Sequence, residues 1–115
     1  ITPMAKPIEE RIKAVEDRQV EIDAKAQTDA EKAQAKADKL APIQARLEVI
    51  NNEISQNEAE RASNHNKIDE LGSAITAAER YYINLKEGEL REEWEKLVAE
   101  RSALWVQKQQ IELAP

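Results

Sequence analysis

Residues 40–71 read LAPIQARLEVINNEISQNEAERASNHNKIDEL. Within them Leu40, Ile43, Leu47, Ile50, Ile54, Asn57, Arg61, Asn64, Ile68 and Leu71 stand three and four residues apart in strict alternation. This is the 3.5-residue repeat of helices that wrap around one another. It extends without a slip back through Lys36, Ala33, Asp29, Ala26, Ile22, Gln19, Val15 and Ile12 to Ile8, and forward through Ile75, Ala78 and Tyr82 to Leu85. Seventeen of these 23 positions are apolar, in a chain where 35% of residues are charged, so the apolar residues are concentrated on one helical strip. The fold class that follows is all-α. Two Gly, four Pro and no Phe agree with long helices, and no stretch alternates apolar and polar residues as a strand would.

Where the helices end decides the topology. Pro42 loses a helical hydrogen bond and its ring meets the preceding turn, at about 3 kcal/mol or more. A break at Leu40-Ala41-Pro42 is therefore expected. If the chain reverses there, Gln19 lies level with Asn64, Ala33 with Ile50 and Lys36 with Leu47, so the alanine-rich stretch before Lys39 meets the large residues after Pro42. Gly72-Ser73 reads as a stop followed by a start, with Ser73 capping the next helix. The expected architecture is an antiparallel coiled-coil three-helix bundle, with helices at about 8–40, 43–71 and 74–111. The alternative lets the helix run through Gly72, because the repeat keeps its phase there, and gives a helical hairpin with one long helix over 43–111 that dimerises. Near Lys86-Glu87-Gly88-Glu89 a second strip begins, made of Leu90, Trp94, Leu97, Arg101, Leu104, Lys108 and Ile111, with Ile83 as its upstream member. Val98 and Trp105 widen that face.

Residues 1–7 read as a tail. Either Ile1 to Pro3 are a cloning remnant before Met4, or the chain is a piece of a longer rod. Residues 8–115 read as one coiled-coil domain. The chain of 115 residues carries 17 basic and 23 acidic side chains, a net charge of −6. The signs are interspersed, and no face concentrates Lys and Arg, which argues against nucleic acid and against anionic membrane surfaces as partners. No apolar run is long enough to span a bilayer. Without Cys there are no disulfides or thiolate metal sites, and the compartment stays open, with a cytoplasmic setting expected.

Little in the chain suggests catalysis. His65 is the sole histidine, and no Glu-x-x-His pairs supply a metal constellation. The carboxylate pairs Glu9/Glu10, Glu89/Glu93 and Glu92/Glu93 have basic neighbours at helical spacing and read as solvated faces. Two isolated glycines build no phosphate-cradling loop. No enzyme activity, cofactor or metal is expected. The residues that stand out are polar ones on the strip and the aromatics. Asn57, Arg61 and Asn64 interrupt it in succession, either as a register or partner-specificity device or because that stretch faces water. Tyr81, Tyr82, Trp94 and Trp105 are the four aromatics. Trp94 and Tyr82 are expected in the core, and Tyr81 and Trp105 at an interface. The functional expectation is a non-enzymatic assembly or adaptor module that self-associates, as a homodimer for example, or binds another protein along helical faces. The alternative is a small acidic inhibitor that blocks a partner's nucleic-acid-binding or active surface, which the interspersed Lys and Arg disfavour.

Overall fold

A computed structural model of the chain describes residues 2–115, with side chains from Pro7 onward. Two helices account for nearly all of it: α1, Thr2–Leu71, and α2, Ala77–Leu113, joined through a 3-10 turn at Gly72–Ala74. The all-α expectation holds. The three-helix bundle does not, because the segments expected at 8–40 and 43–71 are one helix. The hairpin alternative is closer, but with the break moved: it falls at Gly72, so the long helix is the first, not 43–111.

Pro42 sits inside α1. Its missing N–H leaves the carbonyl of Asp38 without a helical donor. Both residues are exposed, where water can satisfy the carbonyl. Gly72 is different in kind. Its φ of +50° is left-handed, and a right-handed helix cannot continue through it. The second helix does not begin at Ser73 either. Thr76 is its N-cap, accepting from the Glu79 backbone N–H at 3.1 Å, while the Glu79 carboxylate accepts from the Thr76 backbone N–H at 3.4 Å. That reciprocal pair is a capping box, and T-x-x-E over 76–79 is its sequence signature.

The chain divides into two compact units, Ile1–Asp38 and Lys39–Pro115. In the first, every described side chain up to Ala35 is exposed. The helix there is supported by its own backbone and by bonds one turn apart, such as Gln19 Nε2 to Asp23 Oδ1 at 3.0 Å and Gln34 Nε2 to Asp38 Oδ1 at 2.8 Å. Ile8, Ile12, Val15 and Ile22 all lie in water.

The second unit is an antiparallel hairpin between the later part of α1 and α2. As partners on α1 advance from Arg46 through Asn57 to Arg61, those on α2 retreat from Glu100 through Leu90 to Glu87. Leu47, Ile50, Ile54, Leu90 and Leu97 are buried, and Ile50 is fully so, packed against Ile54 and Leu97 with Trp94, Val98 and Leu104 around them. Ile50 therefore meets α2 rather than Ala33. Along α2 the second strip is buried or half-buried throughout, from Ile83 through Leu90, Trp94 and Leu97 to Ile111, with Lys86, Glu87, Val98 and Glu100 half-buried beside it. The first strip's last members do not join it: Ala78, Tyr82 and Leu85 are exposed. Tyr82 was expected in the core and is 66% exposed, because α2 turns its Ile83 phase inward.

The two glycines separate backbone strain from packing. A Cβ at either meets nothing within 4 Å, yet only Gly72 has a positive φ. Gly72→Ala should destabilise the hairpin by about 1 kcal/mol, from strain alone. Gly88→Ala, inside α2, should stabilise it by roughly 0.5–1 kcal/mol. Urea unfolding followed by circular dichroism tests both, and equal effects of one sign would refute this account of the turn.

Candidate interaction surfaces

The three polar strip residues fall in the hairpin unit, and each is handled differently. Asn57 is only 4% exposed. Its Nδ2 donates to the Leu90 carbonyl at 2.8 Å, a bond that ties one level of α1 to one level of α2, while its Oδ1 is buried without a partner. Arg61 is half-buried. Its Nε donates to Glu87 Oε1 at 2.8 Å, and its guanidinium carbon lies 5.9 Å from the centre of the Trp94 ring. Trp94 in turn donates its indole N–H to Glu58 Oε1 at 3.1 Å. Asn64 is half-buried, and its Nδ2 has no partner. Asn57 and Arg61 are thus engaged within the hairpin, the first through a backbone carbonyl and the second through an acid and an aromatic face.

Tyr81 and Trp105 point outward, at 71% and 50% exposed. Trp105 is partly covered by Arg101, whose guanidinium carbon sits 4.8 Å from the ring centre. Arg101 Nη1 also donates to Asn51 Oδ1 at 3.3 Å, while its Nε is buried without a partner. Near the turn, Asn64, Leu71, Tyr82 and Ile83 line an open groove of about 420 Å³, together with Lys67, Glu70, Glu79 and Lys86. The structure places the five residues singled out in the sequence along one hairpin and does not gather them into one patch.

A further ion pair was not anticipated. Arg46 donates through Nε and Nη2 to the two oxygens of Glu100, at 2.8 and 3.0 Å, and Glu53 stands 3.9 Å away. The fork-on-fork geometry is the strong form of this contact. The Arg46 hydrogen bond holds the Glu100 carboxyl below its usual range, and the same bond raises Arg46. Nothing at Arg46 or Glu100 marked the pair in the sequence, because the two are far apart along the chain and meet only once the hairpin register is known.

His65 Nε2 lies 3.8 Å from Asp69 Oδ2, with both side chains mostly in water. Among the described residues, no group of three His, Asp or Glu side chains is placed to hold a metal ion, and no helix is long and apolar enough to cross a membrane. Comparison with protein-family models, with curated proteins and with solved structures returns no match.

Asn57 should be a register device held at the expense of stability. Replacing its half-satisfied amide by a side chain of similar volume removes a buried orphan acceptor, so Asn57→Leu should raise the urea unfolding free energy by about 1 kcal/mol. A loss of stability would refute this. For Glu100 the sign follows from the lowered carboxyl. Its contribution is complete above the unfolded-state value, about 4.3, and fades as the pH falls through the lower folded-state value. Stability measured from pH 7 down to pH 3 should therefore fall less steeply in Glu100→Gln than in the native chain, and parallel profiles would show that the bond does not persist in solution.

Proposed function

We propose that this chain is a non-enzymatic assembly or adaptor module that works by binding protein along a helical face. The observation that carries the reading is the exposed strip on α1: Ile8, Ile12, Val15 and Ile22 are 57, 53, 69 and 52% exposed while holding strict coiled-coil spacing. Scattered surface apolar residues need no explanation, but large ones aligned on one helical face present a contact strip. α2 has 37 residues and α1 has 70, so α2 is long enough to cover only about half of its partner. The strip belongs to the same repeat whose later members pack against α2, and the same kind of partner, another helix, suits it. Tyr81 and Trp105, set well apart along α2, offer separate, smaller contact points on the hairpin, where rigid aromatic side chains bury area at low entropic cost.

The chain has no Cys, so single cysteines can carry a photo-crosslinker without background. With benzophenone at Ile12→Cys, the 115-residue chain should crosslink to protein, either as the purified chain or in extract of its source. The same label at Glu10→Cys, on the opposite side of the helix, should crosslink much less. Equal yields from both positions, or none from Ile12→Cys, would overturn the reading.

A further inference from the structure

The spacing of the exposed strip fixes its heptad positions. A three-residue step runs from a to d and a four-residue step from d to a, which puts Ile12, Gln19 and Ala26 at a and Ile8, Val15 and Ile22 at d. The flanking positions then sort by sign. Against the expectation that no face concentrates Lys and Arg, every g position of this stretch is basic: Arg11, Arg18 and Lys25, continued by Lys32 and Lys39. Every e position from Glu9 through Glu16 to Asp23 is acidic. The separation is confined to this stretch. Where the same repeat is covered by α2, g holds Arg46, Glu53, Glu60 and Lys67, of both signs, and e holds Gln44, Asn51, Glu58 and His65.

Such a pattern selects an orientation. In a parallel, in-register pair of helices, g of one chain faces e of the other five residues further on. Arg11 then meets the second copy's Glu16, and Arg18 its Asp23, on both sides of the seam. In an antiparallel pair, g faces g and e faces e, so Arg would meet Arg or Lys, and Glu would meet Glu or Asp. The charges on the single chain are available for this. Among the described residues Arg11, Glu16 and Arg18 make no ion pair, and Asp23 accepts only from Gln19.

We propose that the Ile8–Ala26 strip is closed by the same strip of a second copy of this chain, in parallel and in register. The proposal deepens the helix-binding reading above and rests on it. The strip is its own complement: apolar a and d residues meet their counterparts, and each flank carries the sign that the opposite flank lacks. Gln19 meets Gln19 at a layer where paired amides can bond each other, the kind of polar layer that specifies register. Asp29 at the next d position sets two carboxylates face to face, which limits the contact to the residues before it.

Sedimentation equilibrium of the full chain should give a concentration-dependent mass approaching twice 13.0 kDa. Arg11→Glu with Arg18→Glu, or Glu16→Arg with Asp23→Arg, should each weaken association about tenfold or more. An equimolar mixture of the two double variants should associate to within about threefold of the native chain, because every flank is again opposed by the other sign. These side chains are exposed, and hairpin unfolding should be unchanged in all of them. Orientation is read separately: in a glutathione redox buffer Ile8→Cys should form a disulfide-linked homodimer. A preference for a mixed disulfide between Ile8→Cys and Ala33→Cys chains would overturn the parallel arrangement. A mass of one chain at every concentration, or double variants that associate like the native chain, would overturn the second copy as occupant. If Ile12→Cys then still crosslinks a different protein, the helix-binding reading survives alone, and if it crosslinks nothing, both fall.

Discussion

The structure depends on a mismatch of length along one apolar repeat. A helix with such a stripe lowers its free energy only where another surface removes the stripe from water. α1 carries the repeat over most of its 70 residues, and α2 supplies 37. The covered stretch becomes the hairpin, and the rest stays a single exposed helix. Coverage also sets what chemistry each stretch carries. Under α2 the strip holds Asn57 and Arg61, polar groups bonded to specific atoms of the opposing helix. From Ile8 to Ala26 the strip itself carries no charge, and the flanking charges are sorted by sign.

The hairpin core is thin, which explains how its polar residues are arranged. Five apolar residues and Asn57 are its buried members among the described residues. Two helices alone make a seam rather than an interior, so long side chains can cross its edge with their charged ends wet. Arg61, Trp94 and Arg101 do this, each burying a stem or ring and presenting its polar end to a partner at the rim. Charges arranged this way avoid the large desolvation penalty of a dry interior while still restricting how the helices slide. Asn57 is the one buried polar residue among the described residues, and its Nδ2 bond to the Leu90 carbonyl fixes one level of the pairing.

Periodicity made the helices legible, and with them the inward face of α2 from Ile83 to Ile111, whose burial follows the strip read from its spacing. It could not say which faces acquire partners. Ala78, Tyr82 and Leu85 continue the first repeat across Gly72 in perfect phase and yet lie in water, because the chain reverses between them and the residues they appear to extend. The break itself turned on backbone chemistry. Pro42 weakens a helix by one bond and a local clash, a loss that solvent and the continuing turns can offset, whereas a left-handed residue redirects the chain outright. Two start signals follow Gly72, Ser73 next to it and the T-x-x-E of Thr76 and Glu79, and the second caps the helix because it satisfies two backbone N–H groups reciprocally. Arg46 and Glu100 were not readable, since their meeting requires the register first.

Among the described residues from Ile8 to Ala35, the stabilising terms on α1 are local: alanine-rich composition, backbone bonds and contacts one turn apart, such as Gln27 Nε2 to Glu31 Oε1 and the Thr28 hydroxyl to the Ala24 carbonyl. Terms of this kind leave an isolated helix marginal in water. Burial of Ile8, Ile12, Val15 and Ile22 against a second helix would add a tertiary term to each turn from Ile8 to Ile22, so helix order and association are thermodynamically linked in that segment. The hairpin unit has apolar contacts of its own, around Ile50, Ile54 and Leu97. One repeat therefore sits in two settings within a single chain, packed against α2 over the hairpin and exposed from Ile8 to Ile22. In the first the apolar residues stabilise the fold by burial, and in the second they leave helix order to backbone and one-turn contacts.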